Sequence, residues 1–219
     1  MMYYSQYFDC STNLVENLIM DKIKEKEQVI IKAARERFAH YGFTKVTMDE
    51  IAADVEMGKA SLYYYFPAKE DLFRAVISQE QNQFISAIGE ILAKNISVSK
   101  KLIQYVKKRV EFFEELLNLG TLNVHSYFDT KSIYKSLFEN FHAQELKLMQ
   151  KLIKEGKQNG EFRKSLSEDV PQLILHILQG LRVRVLRQLK GKNNDSKYVN
   201  QLKKEMGLFI KTILEGIKA

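Results

Sequence analysis

The sequence has one cysteine, two prolines and no tryptophan in 219 residues. A lone Cys10 excludes an internal disulfide and a cysteine-based zinc site. Two prolines are too few for a turn-rich β-sandwich or barrel. The ten glycines form no Gly-rich phosphate loop. The four histidines are not paired at ligand spacing, which argues against a catalytic metal, and no nucleophile–base pair stands out. No apolar run reaches the roughly 18–20 residues of a membrane span. The N-terminus lacks a basic segment followed by an apolar stretch, so it does not read as a secretion signal. The apolar content of 45% is too high for a disordered chain, and the length suffices to bury a core without staples. These exclusions point to an all-α, cytoplasmic protein that is not an enzyme, with no cofactor implied and no membrane partner.

The net charge of +7 suggests a nucleic-acid partner, but its distribution complicates that reading. Residues 21–80 carry ten Lys and Arg against eleven Asp and Glu, whereas residues 81–219 carry twenty-four against fourteen. DNA binding must therefore rest on the placement of particular side chains rather than on bulk charge.

Residues 1–20 show no helical period and contain no Lys or Arg, and read as a tail; Met20 is a second candidate start. From Asp21 to Tyr41 the apolar positions Ile30, Ala33, Ala34, Phe38 and Tyr41 recur at helical spacing, and Gly42 supplies a stop. Thr47 with Glu50 three residues later forms a capping box for a short helix with Ile51, Ala52 and Val55 inward. Glu56-Met57-Gly58 interrupts, a second short helix runs from Lys59 to Phe66, and Pro67 stops it. A long helix opens at Lys69-Glu70-Asp71, with acids where the macrodipole favours them, and continues to about Ala93. Further helices are expected near 99–119, 131–159, 168–190 and 195–217, with a weaker segment around 121–129. The expected organisation is a tail (1–20), a three-helix domain (21–68) and a larger helical bundle (69–219).

Two short helices joined by a tight turn and braced by a preceding one make a helix-turn-helix, whose second helix enters the DNA major groove. At 100° per residue, Phe66 and Tyr65 lie within about 60° of Leu62, so these three mark the packed side, with Tyr65 more a packing residue than a reader. Ala60 and Tyr64 fall roughly opposite, flanked by Ser61 and Tyr63, with Lys59 at the helix start. Tyrosine rings pack on thymine methyls and their hydroxyls reach phosphates or base edges; serine serves either. Thr47 and Lys69, each at a helix start, are candidate phosphate contacts. The alternative for Tyr63–Tyr65 is ordinary packing of a helical turn, but Thr47, Leu62, Phe66 and Lys69 all in register weigh against it.

The stretches Gly42–Ala52 and Lys59–Phe73 resemble the DNA-binding domain of the tetracycline-repressor (TetR, AcrR-like) family. The likeness spans roughly residues 27–77, and its Leu-Tyr-x-x-Phe-x-x-Lys-x-x-Leu spacing is specific. It implies DNA contacts by Thr47, Lys59, Ser61, Tyr63, Tyr64 and Lys69, with Ala60 on the same face letting the helix approach closely, a helical bundle that binds a small-molecule effector, and a homodimer formed by the last two long helices. The implied partners are a double-stranded DNA operator and an unidentified effector. The turn departs from the family's usual Ala-Gly-Val-Ser: here it is Val55-Glu56-Met57-Gly58. A non-glycine residue at its left-handed position costs on the order of 1 kcal/mol.

In the bundle, Phe84, Tyr105, Phe112, His125, Phe128, Phe141 and His176 are the candidate ligand-pocket residues, although each aromatic at helical spacing is more often core. Arg182, Arg184 and Arg187 read mainly as solvated or interface charges. The helices at 168–190 and 195–217 carry wide apolar stripes, from which Val170, Ile174, Ile177, Leu181, Met206, Phe209 and Ile213 are expected at a two-fold four-helix dimer interface. The competing functional classes are an enzyme or carrier built on the bundle, and an interaction protein that uses the helix-turn-helix as a docking surface.

Overall fold

A computed structural model of the chain describes residues 5–118, 131–189 and 196–219. It contains eight helices among these residues: α1 (Ser5–Tyr41), α2 (Met48–Asp54), α3 (Lys59–Tyr65), α4 (Lys69–Ala93), α5 (Val98–Asn118), α6 (Lys131–Gln158), α7 (Val170–Leu189) and α8 (Ser196–Ile217). The only bridge outside them in the described residues pairs Phe162 with Lys218. No described helix is long and apolar enough to cross a membrane. The weak segment expected around 121–129 lies outside the described residues.

The chain divides into two compact units, residues 1–76 and 77–219. The division falls inside α4 rather than before it, because Leu72, Phe73 and Val76 from the first two turns of α4 are buried in the core of the first unit. The other expectation to change is the tail. Residues 5–20 continue α1, although Val15, Leu18, Ile19 and Met20 are each more than half exposed. An apolar period reports a face that is buried, and residues 15–20 bury none, so they left no periodic trace.

In the first unit, Ile30, Ile31, Ala34 and Phe38 form the buried stripe of α1. Gly42 ends the helix at φ +78°, donating its N–H to the Phe38 carbonyl at 2.9 Å, a conformation glycine adopts without steric cost. The rings of Phe38, Phe43 and Phe73 then close on one another at 4.6–5.7 Å between centroids. Phe66 takes an extended conformation (φ −132°, ψ 97°), as a residue preceding proline does, and ends α3.

In the second unit α5, α6, α7 and α8 each pack against two of the others, α5 on α6, α6 on α7, α7 on α8 and α8 on α5. The Glu161 carboxylate accepts the Val98 and Ser99 N–H groups at 2.7 and 2.8 Å, capping the start of α5. Hydrogen bonds from Ser99 and Val98 hold the Glu161 carboxyl below the usual range, against the opposing effect of burial, which is the largest single influence. Arg163 and Ala219 N–H groups donate to Ile217 and Glu161, clamping the end of α8 beside this cap.

Candidate nucleic-acid interface

The site is assembled from α2, the turn and α3. Thr47 caps α2 as its sequence suggests: its hydroxyl accepts from the Glu50 N–H at 3.3 Å, while Glu50 Oε2 accepts from the Thr47 N–H and hydroxyl, both at 2.8 Å. These bonds depress the Glu50 pKa, the backbone bond from Thr47 foremost. A phosphate arriving at Thr47 therefore competes with a carboxylate already held there.

The turn after α2 is a Schellman closure. The Met57 N–H donates to the Ala52 carbonyl at 2.9 Å and the Glu56 N–H to that of Ala53 at 3.2 Å. This geometry places Glu56 at φ +52°, the one left-handed non-glycine residue described in the chain. Gly58 then precedes α3 in an extended conformation, with no side-chain cap.

Arg37 on α1 ties α2 in place. It holds Asp54 bidentately, through Nε and through Nη2 at 2.8 Å, and lies 3.5 Å from Glu50. The bond from Arg37 holds the Asp54 carboxyl below its ordinary range. Lys59 spans the two helices of the motif, its ammonium 2.9 Å from the Asp49 carboxylate. That bond raises the Lys59 pKa above its ordinary value.

The face of α3 is oriented as the helical wheel requires. Leu62 is fully buried and Phe66 nearly so, whereas Ala60 and Ser61 are exposed, Tyr63 is 38% exposed and Tyr64 75%. Tyr64 stands edge-on to half-buried Tyr65 at 5.3 Å, and the Lys59 ammonium lies 6.0 Å from the Tyr63 ring. Lys59, Ala60, Ser61, Tyr63 and Tyr64 thus share one open surface of stacking rings, a hydroxyl and a cation.

Lys69 is placed differently from the others. Its ammonium donates to the Phe43 and Val46 carbonyls, both at 2.9 Å, and sits 4.5 Å from the Phe43 ring. Two of its three N–H bonds are committed to the α1–α2 loop. The residue pins that loop to the start of α4, and one hydrogen remains for any further contact.

The expected pocket residues of the second unit also separate. Phe84, Phe112 and Phe141 are buried and pack on each other at 4.9–5.5 Å, with Tyr105 6.3 Å from Phe84. His176 is exposed on α7 and stacks on His142 at 6.0 Å, so it is not part of that cluster. Burial, His176 and Arg109 together lower the His142 pKa. His125 and Phe128 lie outside the described residues. Of the expected interface residues, Ile174 and Met206 fill the core of their own chain; Val170, Ile177, Leu181, Phe209 and Ile213 are half-buried. Two leucines that sequence reasoning left off the interface are exposed on these helices, Leu173 at 52% and Leu208 at 68%.

Sequence reasoning missed a buried polar knot between α5 and α6. Arg109 pairs with Glu145, whose carboxylate also accepts the Tyr105 hydroxyl at 2.5 Å. Burial pushes the Tyr105 pKa up to about 12. The signal was present: Arg109 occupies the apolar register of Leu102, Tyr105, Phe112 and Leu116, and Glu145 that of Phe141, Met149 and Leu152. A charge standing in a core register, with its complement on a neighbouring helix, is the mark of a buried pair.

Comparison with known proteins agrees with this geometry. Residues 30–76 match the family described as bacterial regulatory proteins, tetR family, and residues 100–219 match the QacR-like protein, C-terminal region. The uncharacterised HTH-type transcriptional regulator YuxN of Bacillus subtilis is 30% identical over 95 residues, 43% of this chain and 32% of that protein, so the match spans about a third of that relative's length. The fatty acid metabolism regulator protein of the same organism is 22% identical over 170 residues, 78% of this chain and 80% of its own. A crystal structure of a transcriptional regulator from Cytophaga hutchinsonii superposes with a TM-score of 0.82 at 38% identity, covering 88% of this chain and 98% of that one. With both units matched, the chain belongs to the TetR family of DNA-binding transcriptional regulators.

Proposed function

We propose that the protein acts as a homodimeric repressor that leaves a near-palindromic operator when a small, largely apolar ligand binds its helical bundle. The observation that carries this reading is the polarity of α3: Leu62 is fully buried while Tyr64 on the opposite side is 75% exposed. A helix with that orientation presents Lys59, Ala60, Ser61, Tyr63 and Tyr64 together to a major groove. Tyr63, Tyr64 and Ser61 read base edges and methyls, Lys59 supplies a cation, and Thr47 meets a phosphate in competition with Glu50. Lys69 supports the motif by holding the α1–α2 loop.

Two such heads bind adjacent major grooves when their reading helices stand about 34–36 Å apart or a multiple of a turn. The dimer proposed here forms through α7 and α8, with exposed Leu173 and Leu208 at its centre and half-buried Ile177, Leu181, Phe209 and Ile213 around them. The effector acts by binding one conformation of the bundle more tightly than the other; α4, which runs from one unit into the other, carries the difference. The name of the fatty acid metabolism regulator supports an effector with a large apolar part. The test is a mobility-shift and footprinting assay on DNA upstream of the protein's own gene. The expected result is protection of two half-sites related by a two-fold axis. Protection of a single half-site by a monomer, or no preference over random duplex, overturns the reading.

A further inference from the structure

Beyond the packed aromatic cluster, the second unit carries a half-open trough between α5 and α8 with a volume of about 400 Å³. It is lined by Ile103, Val106 and Val110 on α5 and by Met206 and Ile210 on α8, with Lys107, Glu111, Lys203, Gly207 and Lys211 around them. Four of the five apolar residues are almost fully buried, so the floor is fixed by the bundle core. The volume falls within the range of small-molecule sites.

The charges around the trough are not evenly placed. Lys203 is bound to Glu114 at 2.7 Å, and Glu111 lies 3.3 Å from Lys108. Since Lys203 meets Glu114 while residues 103–111 and 203–211 line one trough, α5 and α8 run in opposite directions. Lys107 and Lys211 therefore flank the far end of the trough, away from the Lys203–Glu114 pair. Both are exposed, and among the described residues neither side chain makes an ion pair or hydrogen bond. One end of an apolar channel is thus dibasic and uncompensated, while the other is closed by a neutralised pair. Gly207 leaves the wall open between them: a Cβ built there meets nothing within 4 Å.

We propose that this trough is a binding site for a single-chain anionic amphiphile, whose carboxylate sits between Lys107 and Lys211 and whose aliphatic chain runs from there over Val106, Val110, Met206 and Ile210. An anion at the dibasic end meets two lysines that otherwise have no ionic partner among the described residues, and the chain covers apolar surface otherwise open to water. The site lies on the outside of the α5–α8 seam, separate from the Phe84–Phe112–Phe141 cluster, and the proposal stands independently of the DNA-reading function.

The experiment is equilibrium dialysis of the full chain with radiolabelled palmitate, with hexadecylamine, of equal chain length, as the cationic counterpart in competition. Saturable palmitate binding is expected, with the amine competing at least tenfold more weakly. Gly207→Leu, which fills the trough with a residue that favours helix, should weaken palmitate binding at least tenfold. The double variant Lys107→Glu with Lys211→Glu, at two exposed positions that contribute nothing to the core, should do the same and keeps the test open if Gly207→Leu does not fold. Absence of saturable binding to the wild type, equal competition by the amine, or undiminished binding in folded variants each overturns the proposal. The readout is direct binding, so its failure leaves the operator reading untouched, and failure to bind an operator leaves this site untouched.

Discussion

Glu56 offers a sharp test of the turn geometry. It is the C′ residue of the closure after α2 and is held at φ +52° by the bonds from Glu56 to Ala53 and from Met57 to Ala52. An L-residue with a Cβ pays about 1–2 kcal/mol in this region, which glycine avoids. Glycine in turn loses more freedom on folding, about 0.4–1 kcal/mol. The balance favours Glu56→Gly over Glu56→Ala by about 0.8 kcal/mol, obtained as the difference of those two effects. Alanine is the proper reference because both variants remove the carboxylate and only one retains the Cβ. Denaturation by urea followed by helical circular dichroism should place the glycine variant above the alanine variant, with a midpoint for heat about 2–3 °C higher. At an ordinary helical position the same comparison has the opposite sign, alanine being the more stable by about 1 kcal/mol. An alanine variant as stable as the glycine variant, or more so, would refute the left-handed assignment. In DNA titrations the two variants should bind alike and more tightly than wild type, since each deletes a negative charge beside the reading helix.

Further expectations follow from the other contacts. Lys69→Met removes two charge-assisted bonds to the Phe43 and Val46 carbonyls and should lower stability by about 2 kcal/mol, seen as an earlier urea midpoint; an unchanged midpoint would return Lys69 to a purely DNA-facing role. Glu145→Ala strands the buried Arg109 and should cost about 3–5 kcal/mol. Adding Arg109→Leu should recover part of that loss, and no recovery would contradict the pairing. Asp54, whose folded pKa lies below its ordinary value near 4, contributes stability that is present above that value and disappears as pH falls through the lower one. The stability difference between wild type and Asp54→Asn should therefore hold from pH 7 to pH 5 and shrink below about pH 4. Leu208→Glu, at an exposed site, should leave the fold intact and yield monomers by sedimentation; a stable dimer would place the interface elsewhere.

The sequence made some of this legible because local chemistry dictated it. The start of α4 was readable from Pro67 and the acidic turn after Lys69, and the capping box of α2 from Thr47 and Glu50 alone. The face of α3 followed from geometry once Leu62 was taken as the packed residue. Three features escaped for a common reason, in that each depends on what a residue meets in space. Residues 15–20 of α1 are helical without a buried face, so periodicity was silent there. Ile174 and Met206 lie in the same stripes as residues facing outward, and a stripe wide enough for two surfaces does not say which residue serves which. Lys69 finds its partners 23 or more residues away, which no local pattern records, and although Arg109 and Glu145 each stand in an apolar register, the register does not say which charge meets which.

The central claim is that the tyrosine-bearing side of α3 reads DNA sequence, and equilibrium titration of wild type and Tyr64→Ala against the upstream segment and against random duplex tests it most directly. The predicted result is a specific affinity lower by roughly 1–3 kcal/mol in the variant with binding to random duplex unchanged. An equal loss on both duplexes, or no loss on either, contradicts it.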